Sequence, residues 1–366
     1  MTKNCAVLIP ALNPPDRLIP YLNQLKIHGF EQIILVNDGS APARRELFSK
    51  AEALGCTLLS HEKHLGKGAA LKTGMTWYQA HLAGTCDGII TVNSDGQDSI
   101  GDIEKVALAL HQERQSNTAS LVITVRDFSS PGMEKANQIG NKISRSICNI
   151  LLGIQVSDMQ STLRGIPDIR VSGCLNIPGK HYEYETAVLI DDEKAGYIEI
   201  PVQAPVPDPG DERHYRPVRD TFQIYLVILR KFLLFALVSI FVSVLDIFLF
   251  WVFETYTFRS VIYPIIWSTV LARIISASIN YIINRYVVFQ SDADHKKTAS
   301  MFVILSIVQC LLSAVLVHVL ELLSSGNPVF LKVVVDTMLF FVNYKIQHKF
   351  IFTREGSSKS HSEISS

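Results

Sequence analysis

From Phe232 to Phe289 the chain runs for 58 residues with only five charges, Asp246, Glu254, Arg259, Arg273 and Arg285. Phe232–Phe253 alone is 22 residues, about 33 Å as a helix and enough to cross a hydrocarbon core of about 30 Å. In lipid every backbone N–H and C=O has to be satisfied internally, so this stretch is restricted to spanning helices. Further apolar runs follow at Val261–Ile283, Ala299–Leu323 and Val329–Ile351, the last carrying Lys332, Asp336, Asn343, Lys345, His348 and Lys349. Four spans are expected.

An internal repeat supports that number. Asn280-Tyr281-x-x-Asn284-Arg285-x-x-x-Phe289 returns 63 residues later as Asn343-Tyr344-x-x-Gln347-His348-x-x-x-Phe352, and Phe235…Ser239-Ile240 matches Phe302…Ser306-Ile307 loosely. The repeat predicts two helical hairpins of the same orientation. It also places Arg273 and Asp336 at equivalent positions of spans two and four, and a pair between them, with Asp246 as rival partner, would relieve the cost of lone intramembrane charges. Arg230, Lys231, Arg285, Lys296, Lys297, Arg354 and Lys359 fall on one side of this topology and Arg259 on the other, so both termini are expected in the cytoplasm.

The overall balance, 48% hydrophobic against 19% charged, shows that the apolar excess is local. Lys+Arg 34 against Asp+Glu 34 removes the basic footprint of a nucleic-acid binder. Six scattered cysteines form neither a metal knuckle nor a disulfide framework and read as reduced thiols.

The first 203 residues alternate short β-type runs (Cys5–Pro10, Gln32–Val36, Thr57–Ser60, Gly88–Val92, Leu121–Thr124) with helical patterns, which predicts an α/β domain with a mostly parallel sheet. In such sheets ligands bind beyond the carboxyl ends of the strands. Two strands end in Asn37-Asp38-Gly39-Ser40 and Asn93-Ser94-Asp95-Gly96-Gln97. Such tetrads can aim oxygens at a nucleoside or a hard cation, and each taken singly is equally an ordinary Asx turn. Between them, His64-Leu65-Gly66-Lys67-Gly68 opens a helix. It is neither a P-loop nor a dinucleotide fingerprint, but a glycine loop with a lysine at a helix start suits a diphosphate.

In order, Pro10-Ala11-Leu12-Asn13, Val36–Ser40, Gly66–Ala70, Asn93–Gln97, Val125-Arg126-Asp127 and Ser157-Asp158-Met159-Gln160-Ser161-Thr162-Leu163-Arg164-Gly165 resemble glycosyltransferase family 2, and within it the polyprenyl-phosphate sugar transferases. The four apolar runs with the repeated Asn-Tyr…Phe ending resemble a GtrA-type membrane domain. The resemblance implies a GT-A fold and inverting transfer of a hexose, UDP-glucose being the first choice of donor, to undecaprenyl or another polyprenyl phosphate for cell-envelope glycan modification. By motif match, Pro10, Ala11, Asn13, Asp38, Lys67, Gly68, Asn93, Ser94 and Asp95 would bind the nucleotide sugar. Asp95, Gln97 and Asn93 would hold Mg²⁺ or Mn²⁺. Arg126, Asp158, Gln160 and Arg164 would surround the acceptor phosphate and the sugar.

The expected organisation is therefore residues 1–203 as the GT-A domain and 204–231 as a Pro-rich connector and juxtamembrane helix. Residues 232–352 form the membrane domain, with spans at about 232–253, 261–283, 299–323 and 329–351, and 353–366 form a cytoplasmic tail. The expected partners are a nucleotide-diphosphate sugar, a polyprenyl phosphate and the bilayer, with no nucleic acid; homo-oligomerisation is left open. Asp246, Arg273 and Asp336 keep a second function in view, translocation of a glycolipid that the first domain only recognises, and Asn93 in place of an acid allows a degenerate transferase. A processive polysaccharide synthase is set aside because no QxxRW element follows Gln160.

Overall fold

The computed structural model describes residues 3–127, 135–152, 154, 156–159, 161–191, 196–203, 217–257, 262, 264–291, 293–324 and 328–352. Gln160, the connector over 204–216 and the tail over 353–366 lie outside the described residues. Contacts divide the chain into two compact units, one of residues 1–149 and 154–228, the other of 150–153 and 229–366.

The first unit is α/β. Its strands are β1 (Ala6–Ala11), β2 (Gln32–Asp38), β3 (Thr57–His61), β4 (Gly88–Thr91), β5 (Leu121–Arg126), β6 (Arg164–Pro167) and β7 (Tyr197–Val202), in the order β3-β2-β1-β4-β6-β5-β7. All pairs are parallel except those of β6, which runs antiparallel to both β4 and β5. The helices are α1 (Leu18–Ile27), α2 (Arg45–Ala53), α3 (Lys67–His81), α4 (Ile100–Gln115), α5 (Lys135–Leu152), α6 (Asp168–Asn176) and α7 (Glu183–Asp191). Helices cover the sheet, so the central strands are apolar throughout rather than alternating: in β1, Ala6, Val7, Leu8 and Ile9 are all fully buried.

The five strands read from sequence are present with ends moved by one or two residues, and β6 and β7 are additional. Strand β6 matters most for function. Because it is antiparallel, its first residue, Arg164, pairs with Thr91 near the end of β4 and with Ile123 of β5. The loop entering β6 and the loops leaving β4 and β5 therefore meet on one edge of the sheet.

The second unit is helical. Helix α8 (Pro217–Val252) begins in the first unit and joins the expected juxtamembrane helix and first span into one rod of 36 residues. A π-turn over Phe253–Thr257 follows it. Helix α9 (Pro264–Ile283) ends in a π-turn at Asn284–Val288, α10 is His295–Ser324, and α11 (Pro328–Ile346) ends in a second π-turn at Gln347–Ile351. Two helical stretches, Thr221–Thr257 and His295–Ser324, are long and apolar enough to cross a membrane. Leu237, Ile240 and Ile247 on α8 and Ile304, Leu311 and Val315 on α10 are each more than half exposed. Apolar surface left open on this scale calls for an apolar surrounding.

The sequence repeat is realised as packing. The rings of Phe289 and Phe352 stack at 5.2 Å. Tyr281 meets Phe352 at 5.8 Å and Phe302 at 5.5 Å, while Tyr344 meets Phe289 at 5.9 Å and Phe235 at 5.2 Å. Each contact has its counterpart in the other hairpin, the signature of a pseudo-twofold. On the axis, buried Asn284 donates from Nδ2 to Gln347 Oε1 at 3.2 Å.

The Arg273–Asp336 pair expected from the repeat does not form. Arg273 Nη2 lies 3.2 Å from Asp246 Oδ2, and Asp336 Oδ1 accepts from Ser313 Oγ at 2.6 Å. Asp246 Oδ1 also accepts from Ser276 Oγ at 2.7 Å. Each of these contacts lies within one hairpin, α8 with α9 and α10 with α11. The symmetry axis runs through the Asn284, Gln347 and Phe289 end of the spans.

Candidate active site

The β1–α1 loop is held on both sides. Pro10 and Ala11 lie in register with Val36 and Asn37, Asn13 N–H donates to Ser40 Oγ at 2.9 Å, and Asn13 Oδ1 accepts from Ala41 N–H at 2.8 Å. Arg17 Nε donates to the Asp95 carbonyl, and Tyr21 OH donates to the Asp98 carbonyl at 2.9 Å. The two acidic tetrads are thereby tied to one loop.

Asp38, ending β2, is buried. Its Oδ1 accepts from His61 Nδ1 at 2.7 Å and Leu65 N–H at 2.9 Å, and its Oδ2 from His64 Nδ1 and Gly66 N–H, both at 2.8 Å. Burial alone would raise this carboxyl, but the His61 bond, the two backbone donors and the His64 ring outweigh it and hold the group below the usual carboxylate range. Four donors saturate the carboxylate, so Asp38 shapes the 64–66 loop from beneath.

That loop needs glycine. Gly66 has φ +110°, and a Cβ there would come within 2.3 Å of His181 Nδ1 and 2.4 Å of the Lys180 carbonyl. A Cβ on Gly68 would meet Tyr184 Cβ at 2.5 Å. The start of α3 is thus pressed against the segment 180–184, which brings Lys67 to Glu185: Nζ is 3.0 Å from Glu185 Oε2 and 3.0 Å from Asn93 Oδ1. Asn93 Nδ2 in turn donates to Thr162 Oγ1 at 2.7 Å. Both ends of the Asn93 amide are thereby engaged by protein groups.

Beyond Asn93 and half-buried Ser94, the loop folds over its own carboxylates. Asp95 Oδ1 accepts from Gln97 N–H at 3.1 Å, and Asp98 Oδ2 accepts from Asn93 N–H at 3.2 Å. Ser99 caps α4 through Asp102 N–H at 3.1 Å, with Asp102 held by Lys105 at 2.7 Å. Burial, and after it the neighbouring charge of Asp95, push the Asp98 carboxyl up to about 6, although the Asn93 N–H bond pulls the other way. Asp98 is a site residue that sequence reasoning missed. Its signal was present, a second acid three residues after Asp95 on the same tight turn.

A cleft of about 590 Å³ opens at this edge, lined among others by Asn93, Gln97, Asp98, Arg126, Thr162 and Gln203. Arg126, at the end of β5, is clamped by Asp158: Nε to Oδ2 is 2.7 Å and Nη2 to Oδ1 is 3.0 Å. Asp158 is fully buried, and Arg126, one-fifth exposed, lines the cleft. Arg164 is placed differently. It is buried and donates from Nε to the Ser161 carbonyl at 2.8 Å and from Nη1 to the Glu185 carbonyl at 2.5 Å, splinting the loop before β6 onto α7.

Among the described residues no three His, Cys, Asp or Glu side chains are grouped as a ready metal site. The donor chemistry nevertheless fits a hard cation, since Asp95, Gln97 and Asp98 supply oxygens and two carboxylates lie close enough to raise one of them. This gives a test. With its folded pKa raised to about 6 from 3.8, Asp98 destabilises the metal-free fold above pH 6 and has no effect below pH 4. Asp98→Asn should therefore stabilise the chelated protein at pH 7.5 by up to roughly 3 kcal/mol, about 5–10 °C in Tm. The gain should vanish at pH 4 and shrink when Mn²⁺ is added to the parent. Thermal melts that show equal Tm values at pH 7.5 would remove the assigned strain.

Sequence comparisons fall on the same two regions. The glycosyl transferase family 2 model matches residues 6–167, and that of the GtrA/DPMS transmembrane domain matches residues 226–352. The UDP-N-acetylglucosamine–dolichyl-phosphate N-acetylglucosaminyltransferase of Methanococcus voltae is 25% identical over 215 residues, 54% of this chain and 84% of that protein. A dolichyl-phosphate beta-glucosyltransferase of Trichomonas vaginalis is 28% identical over 143 residues, 36% of this chain and 40% of that one. Among solved structures, glucosyl-3-phosphoglycerate synthase from Mycobacterium tuberculosis, crystallised with phosphoglyceric acid, aligns over 62% of this chain and 79% of that one with a TM-score of 0.44 and 18% identity.

Proposed function

We propose, for a chain whose residues 6–167 belong to glycosyl transferase family 2 and whose residues 226–352 are a GtrA/DPMS transmembrane domain, that it transfers one hexose from a nucleotide-diphosphate sugar to a polyprenyl phosphate at the membrane. The observation that carries this reading is the convergence of the Asn93–Asp98 loop, Lys67 and Arg126 at one sheet edge in a chain with a membrane domain. UDP-glucose and undecaprenyl phosphate are the proposed substrates, in keeping with relatives named for glucosyl and UDP-N-acetylglucosamine transfer to dolichyl phosphate.

The chemistry asks little of a base, because the attacking phosphate oxygen is already ionised near neutral pH. The work is electrostatic. Asp95, Asp98 and Gln97 would hold Mg²⁺ or Mn²⁺, which when bound neutralises charge on the departing diphosphate. Lys67, at the start of α3, is placed to leave Asn93 or Glu185 for a phosphate oxygen. Arg126, fixed by Asp158, presents a guanidinium to the incoming phosphate and orients it for attack at the anomeric carbon. Asp38 and Arg164 act through the loops they hold, and Pro10, Ala11 and Asn13 would border the nucleoside. Gln160 would complete the acceptor side. The four helices α8–α11 are proposed as spans with both termini cytoplasmic, which keeps the site at the inner face where both substrates meet.

Membranes containing the protein should form a single labelled lipid when given undecaprenyl phosphate, Mn²⁺ and one of UDP-glucose, UDP-galactose, UDP-N-acetylglucosamine or GDP-mannose. No labelled lipid with any of the four donors would reject transfer and favour translocation of a preformed glycolipid.

A further inference from the structure

Glu185 carries more acceptor capacity than the fold uses. It lies in the first turn of α7, is 8% exposed, and its carboxylate has one polar partner among the described residues, the Lys67 ammonium 3.0 Å from Oε2. The other oxygen, Oε1, is buried without a hydrogen bond. Two residues earlier, Glu183 shows an acid serving the helix start: its Oε1 reaches back to the N–H groups of Lys180 and His181 at 2.9 and 3.1 Å. Glu185 caps nothing. A buried carboxylate is costly unless its oxygens find donors, and one ammonium on one oxygen leaves most of that demand unmet.

The surroundings set where that acceptor stands. Lys67 Nζ bridges Glu185 Oε2 and Asn93 Oδ1, 3.0 Å from each, and Asn93 lines the cleft of about 590 Å³. The carboxylate is thus one ammonium removed from a cleft-lining residue. When Lys67 turns to a diphosphate oxygen, Oε1 and Oε2 are both left without a donor, beside the place where the phosphates end. In a nucleotide-diphosphate sugar the group attached at that end is the sugar, and its hydroxyls are the donors within reach. The negative charge of Glu185 has one further use. Burial pushes the Arg164 guanidinium down, and the charge of Glu185, ahead of that of Asp158, opposes this.

We infer that Glu185 recognises the transferred sugar: a sugar hydroxyl donates to its carboxylate in the place held here by the Lys67 ammonium. Lys67 and Glu185 then form an exchange pair, the lysine going to the diphosphate and the acid to the sugar. A bare nucleotide has to break the ion pair and offers the acid nothing in return. This deepens the transfer reading and rests on it, and its test reads donor binding with no lipid acceptor present.

The full-length protein in detergent with Mn²⁺ would be titrated calorimetrically with UDP, GDP, UDP-glucose, UDP-galactose, UDP-N-acetylglucosamine and GDP-mannose. The parent should bind at least one nucleotide sugar. Glu185→Gln should weaken that nucleotide sugar about tenfold or more and tighten the bare nucleotide about threefold, because Lys67 is released from its counterion. A loss of shape alone lowers both affinities together, so the opposite signs separate recognition from support of the fold. Glu185→Gln also withdraws charge from Arg164. If it does not fold, Glu185→Asp decides, since it keeps the charge and draws it back by one carbon. It should weaken the nucleotide sugar about tenfold and leave the bare nucleotide within about twofold of the parent. A nucleotide sugar that binds the folded variant as tightly as the parent, or a loss shared equally by the bare nucleotide, overturns the assignment and leaves transfer standing. Failure of every probe to bind the parent rejects the transfer reading and this assignment with it.

Discussion

Asp95→Ala should reduce transfer at least a thousandfold while the protein keeps its melting temperature within a few degrees. Asp95 lies in the turn after β4, beyond the last strand residue Thr91, where its carboxylate accepts from the Gln97 N–H at 3.1 Å. Removing it therefore loosens one turn and leaves the sheet intact. The catalytic loss is larger for a physical reason. A cation stabilising the leaving diphosphate supplies several kcal/mol of transition-state charge compensation, and each 1.36 kcal/mol is a factor of about ten in rate. Asp95→Asn, which keeps the turn's acceptor but not its charge, should fall between, with activity recovered in part by raised Mn²⁺. Radiolabelled lipid formation across a Mn²⁺ series measures this. Near-parental rates for Asp95→Ala at every metal concentration would show that the cation, if one is used, is held elsewhere.

How much of this was readable before the structure differs by element. Strands β1 to β5 announce themselves as apolar runs closed by turn residues, and their order along the chain already requires crossover helices. Strand β6 does not: Arg164-Gly165-Ile166-Pro167 is four residues long, with a glycine and a proline, and nothing local separates it from a loop. Its place is fixed by tertiary pairing to Thr91 and Ile123. Asp158 and Arg164 were legible as polar residues in a motif, but not which of them faces ligand. Burial decides that: both are turned inward, Arg164 onto the Ser161 and Glu185 carbonyls and Asp158 onto the Arg126 guanidinium. Asp38 shows the same limit, since its saturation depends on His61 and His64, 23 and 26 residues away. In the membrane unit the repeated residues meet as aromatic and amide packing, a contact visible only in the fold. The repeat misplaced the charges because equivalence by symmetry says nothing about distance from the axis.

The Arg126–Asp158 clamp makes the sharpest energetic prediction. Asp158 is fully buried and bound bidentately, and the Arg126 backbone N–H adds a contact at 3.3 Å. Removing one partner of such a pair leaves the other charge uncompensated, which typically costs about 3–5 kcal/mol. For a unit of this size that is roughly 6–20 °C in Tm. Asp158→Ala should therefore melt far below the parent, and Arg126→Ala, which leaves a buried carboxylate, should do so as well. The double variant should be more stable than the sum of the two losses predicts, because it buries no lone charge; the coupling in a double-mutant cycle should be 1.5 kcal/mol or more in magnitude, about a tenfold effect. Activity separates the two residues' roles. Asp158→Asn should keep the cavity shape and much of the stability yet raise KM for the lipid acceptor, since Arg126 loses its fixed direction at the cleft. Arg126→Lys should do the same without a matching fall in Tm. Additive melting temperatures across the cycle would mean that the pair is not coupled, and an unchanged acceptor KM in both conservative variants would remove Arg126 from the acceptor site.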